Sequence, residues 1–135
     1  MKRFGLWLAT ATATYGAIAG GWHLYLNANP HSLAVVVDAS YPMQADWAKL
    51  GPHLDRIAAR RYTRFALATE KGLQHSWDST LHPERVTPYA PRDFERLRNL
   101  RDSLPELREA DEVWFITNAS SAELEPFADW KIVRP

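Results

Sequence analysis

The chain has 135 residues, with 16 Lys and Arg against 16 Asp and Glu, and it contains no Cys. Its length accommodates one domain, or a smaller domain with an appendage, and a hydrophobic content of 46% excludes a disordered chain. The absence of Cys excludes a disulfide framework and any thiolate chemistry, and the zero formal charge argues against a nucleic-acid binder with a broad basic surface.

The N-terminal segment is an uncharged stretch behind two basic residues. Lys2 and Arg3 precede residues 4–26, which contain no Asp, Glu, Lys or Arg. A helix over that stretch would be roughly 34 Å long at about 1.5 Å per residue, enough to cross a bilayer core. We therefore expect residues 1–30 to form a single transmembrane anchor and a short linker. The aromatic residues expected at the membrane interfaces are Trp7, Trp22 and Tyr25.

The same segment has a second interpretation. Ala17-Ile18-Ala19 has small residues at the spacing of a signal-peptidase site, so the segment could be a cleaved secretory signal. In both interpretations the basic pair stays inside, because residues 27–32 carry no positive charge. We expect a single-pass protein of a bacterial inner membrane, with a cytoplasmic N terminus and a periplasmic domain at residues 31–135.

The first half of that domain predicts two strands beside a helix. Residues 33–37 form a continuous apolar run, typical of a strand covered on both faces. Helical spacing of apolar residues predicts a helix over residues 46–60, which Pro52 would kink or split. Residues 64–69 and 73–77 are predicted to form a β-hairpin.

The second half continues the alternation after a proline-containing loop. We expect a helix over residues 93–104, a buried strand at 113–117, a short helix at 122–127 and a last strand at 131–133. This order predicts a three-layer, Rossmann-like α/β sandwich with a mostly parallel sheet and one antiparallel edge hairpin. Because open sheets bind ligands at the carboxyl ends of neighbouring strands, we expect Asp38, Ser40 and Asn118 to lie together.

The strand and loop around Asp38 resemble a known family. Residues 33–40, which read Leu-Ala-Val-Val-Val-Asp-Ala-Ser, resemble the first strand and metal-binding loop of von Willebrand factor A domains, whose motif is Asp-x-Ser-x-Ser. Residues 64–69 with their hairpin and residues 113–118 are similar to later strands of that family. The resemblance covers residues 33–135 and implies a protein-binding domain, often acting through a divalent cation. The Mg²⁺ or Mn²⁺ ligands that it implies are Asp38, Ser40, Thr87 and Asn118.

The sequence also departs from the family motif. Pro42 stands at the second serine position, and the neutral Asn118 stands where the family has an aspartate. We therefore favour a degenerate site, in which Asp38 and Ser40 cap the next helix or hold the turn through local hydrogen bonds.

A second resemblance is to haloacid-dehalogenase-type phosphatases. Asp38 follows a buried strand, and residues 116–119 read Ile-Thr-Asn-Ala. The chemistry of those enzymes needs a second aspartate two residues after the nucleophile, and Ser40 stands there instead. We do not expect an enzyme.

Two groups of arginines have alternative interpretations. Arg60, Arg61 and Arg64 form a basic cluster that is either a solvated helix end or a contact for lipid or a partner. Five more alternate with acidic residues and predict a solvated helix face with local ion pairs: Arg92, Arg96, Arg98, Arg101 and Arg108.

The favoured hypothesis is a non-enzymatic, membrane-anchored accessory or assembly subunit without a cofactor. Its expected partners are the lipid bilayer and a larger integral membrane protein complex, contacted through both helix and domain, with no role for nucleic acid. The alternative is a metal-dependent periplasmic adhesion or chaperone domain that uses the Asp38 loop.

Overall fold

The computed structural model describes residues 2–135, which divide into two compact units, one ending at Pro30 and the other spanning His31–Pro135. The first unit is the single helix α1 (Lys2–Ala28). The helix ends where both the backbone N–H and the side-chain amide of Asn29 donate to the Tyr25 carbonyl, each at 3.0 Å. Within residues 2–135, no helix is both long and apolar enough to cross a membrane.

The second unit is an α/β domain, as the sequence predicts. Its strands are β1 (His31–Val37), β2 (Thr63–Thr69), β3 (Gly72–Asp78), β4 (Glu112–Ile116) and β5 (Lys131–Val133). Its α-helices are α2 (Leu50–Ala58), α3 (Phe94–Ser103) and α4 (Pro105–Glu109). Short 3₁₀ segments cover Tyr41–Lys49, Pro83–Arg85 and Glu125–Phe127.

The five strands form one sheet in the order β3-β2-β1-β4-β5. All neighbours are parallel except β2 and β3, which form the antiparallel edge hairpin. The predicted mostly parallel sheet with one antiparallel pair is therefore confirmed. The chain runs from β1 to one side of the sheet and later returns to the other, so β1 and β4 flank the point at which the strand order reverses.

Two apolar cores cover the two faces of the sheet, because successive side chains of a strand point to opposite faces. Leu33, Val35 and Val37 of β1 pack with α2 residues, including Leu54 and Ile57. The intervening β1 residues Ala34 and Val36 belong to a second core, together with Leu97 of α3 and Leu107 of α4. The helices therefore form a layer on each side of the sheet.

Two predicted helices differ from the structure and one helix was not predicted, and a proline is involved in each case. Residues 46–60 are not one helix: the segment begins as a 3₁₀ turn, and α2 starts at Leu50, which places Pro52 in the first turn, where its missing N–H costs no hydrogen bond. Pro105 ends α3, as expected, but also begins α4. Residues 122–127 contain only a 3₁₀ turn around Pro126.

Candidate functional site at the carboxyl ends of β1 and β4

The candidate site lies at the strand-order reversal, where α/β sheets bind ligands. Asp38 immediately follows β1, and Thr117 and Asn118 immediately follow β4. The predicted proximity of Asp38, Ser40 and Asn118 is present in the structure. Asp38, Ser40 and Thr117 are completely buried.

The Asp38 carboxylate accepts hydrogen bonds on both of its oxygens. Its Oδ1 accepts from the Ser40 hydroxyl at 2.5 Å and from the Ser40 backbone N–H at 3.1 Å. Its Oδ2 accepts from the Thr117 hydroxyl at 2.7 Å and from the Arg92 Nε at 3.1 Å, and Arg92 Nη2 lies 3.0 Å away. The local bonds to Ser40 match the predicted role in holding the turn, whereas the Thr117 and Arg92 contacts are long-range. With its charge balanced and its oxygens engaged, this carboxylate is poorly placed to act as a nucleophile or base.

Arg92 connects the two strand ends and is the main residue that sequence reasoning misplaced. Its Nη2 also donates to Asn118 Oδ1, and its Nη1 lies 3.5 Å from Glu123 Oε1. The prediction of a solvated helix face fails for Arg92 because Asp93 is the N-cap of α3, with its side chain accepting from the Arg96 N–H. Arg92 therefore precedes the helix and is free to turn into the site.

Asn118 joins this network to the segment after β1. Its amide Nδ2 donates to the Pro42 carbonyl and to Asp46 Oδ2, each at 2.9 Å. Hydrogen bonds from Lys49 and Asn118 hold the pKa of Asp46 below its usual range. The side-chain amide of Asn118 thus accepts from Arg92 through its oxygen and donates to the Tyr41–Lys49 segment through its nitrogen.

Glu70 is a second buried carboxylate at this end of the sheet, and it lies between the two strands of the predicted hairpin. Its side chain is completely buried, and its Oε2 accepts from the backbone N–H of Ala39 at 2.9 Å. Its Oε1 has no hydrogen-bond donor among the described residues but lies 3.2 Å from the Lys71 ammonium. Glu70 follows β2 as Asp38 follows β1, so its position after a parallel strand was the available signal.

The residues around Asp38 do not fit a divalent cation in this arrangement. Mg²⁺ and Mn²⁺ take free oxygen ligands, but Asp38 Oδ2 and Asn118 Oδ1 both accept hydrogen bonds from Arg92, and Asp38 Oδ1 accepts from Ser40. Thr87 is exposed, and no hydrogen bond within residues 2–135 joins it to Asp38. No group of three or more His, Asp or Glu residues in the described part of the chain is placed to hold a metal. A metal at this site stays a prediction, which would require Arg92 to withdraw.

The basic cluster lies at the opposite end of the sheet, and two of its members are engaged inside the domain. Arg60 donates to Glu112 at 2.9 Å and stacks on Trp114, while Arg64 donates to the Ser32 hydroxyl at 2.7 Å and stacks on a second tryptophan, Trp77. The Arg61 side chain is exposed. Of the three arginines, Arg61 is therefore the one most available to lipid or a partner.

Two tyrosines are exposed beside the Asp38 network. Tyr41 and Tyr89 are 54% and 57% exposed, and they are the large hydrophobic residues of the second unit with high exposure. Their segments are joined because the Tyr41 N–H donates to the Ala90 carbonyl and the Tyr89 N–H donates to the Ala39 carbonyl. Two exposed aromatic side chains therefore lie near the strand ends.

No family model, no curated protein and no solved structure matches the chain.

Proposed function

We propose that this protein is a non-enzymatic accessory subunit of a bacterial inner-membrane complex, held in the bilayer by α1 and contacting its partner through the periplasmic α/β domain. The observation that carries the proposal is the surface of α1. Its large apolar side chains are exposed all along the helix, from Phe4 to Tyr25, and the helix carries no charge over residues 4–26. Such a surface is unfavourable in water and needs a lipid or protein environment.

The polar groups of α1 are compatible with that environment. The Thr10 hydroxyl donates to the Leu6 carbonyl at 3.0 Å, and the Thr14 hydroxyl donates to the Thr10 carbonyl at 2.9 Å. These bonds satisfy hydroxyls that would otherwise be costly in hydrocarbon. Trp7, Trp22 and Tyr25 are exposed and have the amphipathic rings that favour the two interfaces. Lys2 and Arg3 favour a cytoplasmic N terminus.

The α/β domain supports binding more than catalysis. The Asp38 carboxylate is held by Ser40, Thr117 and Arg92, and Ser40 stands where a phosphatase of the dehalogenase type needs a second acid. The exposed aromatic pair of Tyr41 and Tyr89 has the character of an interface hot spot. The domain would thus be a degenerate member of the von Willebrand A type, with an arginine at the position of the cation.

The test is a pull-down of the full-length chain from its native membrane in mild detergent, with mass spectrometry of the retained proteins and of the chain's own N terminus. We expect stoichiometric recovery of a defined membrane complex with residues 1–26 intact. The double variant Tyr41→Ala/Tyr89→Ala should lose the complex while staying folded. The matched control is Arg98→Ala, an exposed residue of α3. Recovery of a lone chain, with no partner captured by cross-linking, would contradict the proposal.

A further inference from the structure

An apolar groove lies beside α2, outside the hydrogen-bond network of Asp38. It has a volume of about 400 Å³. Its walls are formed by the apolar side chains of Trp47, Leu50, Leu54 and Val86. A groove of this size accommodates one or two bulky apolar side chains.

The charged side chains that line the groove are both acidic. They are Asp55, on α2, and Glu84, in the Pro83–Arg85 turn. Asp55 is exposed, and none of the ion pairs found in residues 2–135 involves it. Glu84 Oε1 lies 3.1 Å from His82 Nδ1. A hydrogen bond from its own backbone N–H, assisted by His82 and Arg85 against the effect of burial, holds the pKa of Glu84 below its usual range.

We propose that this groove docks a segment of the partner protein in which a bulky apolar side chain is flanked by Lys or Arg. This inference rests on the proposed function, since it names the chemistry of the partner. The apolar side chain would replace water against Trp47 and Leu54, and the flanking cations would face Asp55 and Glu84. An acidic segment would instead bring like charges together at the rim, so the same two carboxylates select against it.

Gly51 offers a way to close the groove without cutting into the core. It lines the groove on the first turn of α2, and a Cβ added there would meet no atom within 4 Å. Gly51→Phe places a large side chain at this wall without a clash at its Cβ and should obstruct the groove. Gly51→Ala changes the backbone preference in the same way but leaves most of the space open, which makes it the matched control.

The experiment measures binding of two fluorescent peptides to the full-length chain in a non-ionic detergent by anisotropy. Both peptides have the same Leu-Phe-Leu centre; one is flanked by two Lys on each side and the other by two Glu. We expect the Lys-flanked peptide to bind at least about tenfold more tightly, a difference of about 1.4 kcal/mol. Gly51→Phe should abolish this binding, and Gly51→Ala should retain it. Asp55→Asn/Glu84→Gln should reduce the preference to less than about threefold.

Several results would overturn the inference. Equal binding of the two peptides would remove the role of the carboxylates, and binding unchanged in Gly51→Phe would place the peptide elsewhere. If the small cation phenethylammonium bound as tightly as the Lys-flanked peptide, the groove would be a small-molecule site.

If Gly51→Phe does not fold, the Asp55→Asn/Glu84→Gln variant decides alone. If the peptide does not bind but the pull-down recovers a membrane complex, only the groove proposal is rejected. If the peptide binds specifically but no complex is recovered, the accessory-subunit proposal is rejected.

Discussion

Arg92 donates to Asp38 Oδ2 from Nε at 3.1 Å, and its Nη2 lies 3.0 Å from the same oxygen, although 54 positions separate the two residues in the chain. The Asp38 side chain is completely buried and the Arg92 side chain is 17% exposed. Water therefore screens this pair weakly. Such a pair is costly to break by removing one partner, because the remaining charge stays buried without compensation.

Arg92→Ala should lower the free energy of unfolding by about 3 kcal/mol, since it leaves the Asp38 charge uncompensated. The measurement is urea unfolding of the full-length chain in detergent, followed by tryptophan fluorescence. Arg98→Ala, which removes an exposed arginine from α3, should change stability by less than about 0.5 kcal/mol. A loss below about 1 kcal/mol in Arg92→Ala would mean that the ion pair does not hold the strand ends together.

The wild-type chain should be insensitive to divalent cations, because Arg92 already donates to Asp38 Oδ2 and Asn118 Oδ1. We expect no shift in melting temperature when MgCl₂, MnCl₂ or EDTA is added. Arg92→Ala should show a cation-dependent rise, since it frees the carboxylate for a metal ligand role. Destabilisation of the wild type by EDTA, with loss of partner binding in Asp38→Ala, would instead support the metal-dependent alternative.

Glu70→Ala should destabilise the domain by about 2 kcal/mol, because the N–H of Ala39 loses its buried acceptor. Glu70→Gln keeps an acceptor oxygen for the Ala39 N–H and should cost less, since the Lys71 ammonium keeps its hydrogen bond to the Pro91 carbonyl. Urea unfolding gives the two stabilities, and hydrogen exchange of the Ala39 amide reports the lost bond directly. Glu109→Ala at the exposed end of α4 is the control. Equal effects of the two Glu70 variants would show that charge, not the hydrogen bond, matters here.

Protonation of Glu112 should lower the stability of the domain in acid. Burial alone would raise the pKa of Glu112, but the hydrogen bond from Arg60 and the charges of Arg60 and Lys131 lower it below its usual range. A lowered folded-state pKa adds stability above the unfolded-state value of about 4.3, and that stability is lost as the pH falls through the folded-state pKa.

Between pH 7 and pH 3, the wild type should therefore lose about 1 kcal/mol more stability than Glu112→Gln, as measured by unfolding at each pH. Glu109→Gln should follow the wild-type curve. Parallel pH profiles for Glu112→Gln and the wild type would exclude a contribution from this ion pair.

The proposed membrane anchor predicts that a charge in the middle of α1 releases the chain from the membrane. Gly16→Asp places a carboxylate where an added Cβ meets no atom of the chain within 4 Å, and a charge at the bilayer centre costs about 3 kcal/mol on insertion scales. Alkaline carbonate extraction should leave the wild type and Thr14→Val in the pellet and move Gly16→Asp to the supernatant. A wild-type chain in the supernatant, with its N terminus after Ala19, would indicate a cleaved signal.

The strands could be read from the sequence because each depends on a local pattern. The run at residues 33–37 predicts β1, and the predicted hairpin at 64–77 matches β2 and β3 to within a residue at each end. Helix boundaries were harder to predict where proline is present. Pro52 lies in the first turn of α2, and Pro105 is the first residue of α4, because the first turn of a helix tolerates a residue without an N–H. A proline can therefore follow the end of one helix and begin the next.

Local patterns in the sequence predict three features: the α/β alternation, the uncharged N-terminal segment and the proximity of Asp38, Ser40 and Asn118. These predictions need only the strand patterns and the rule that sites form at the carboxyl ends of strands. The surroundings of Asp38, in contrast, depend on tertiary contacts. Arg92 lies far from Asp38 in the chain, and Glu70 follows the neighbouring strand β2. The contribution of each to stability depends on burial, which a sequence pattern does not encode. The ion pair between Arg92 and Asp38 follows from packing. Because of it, a loop that resembles a metal site binds an arginine side chain instead.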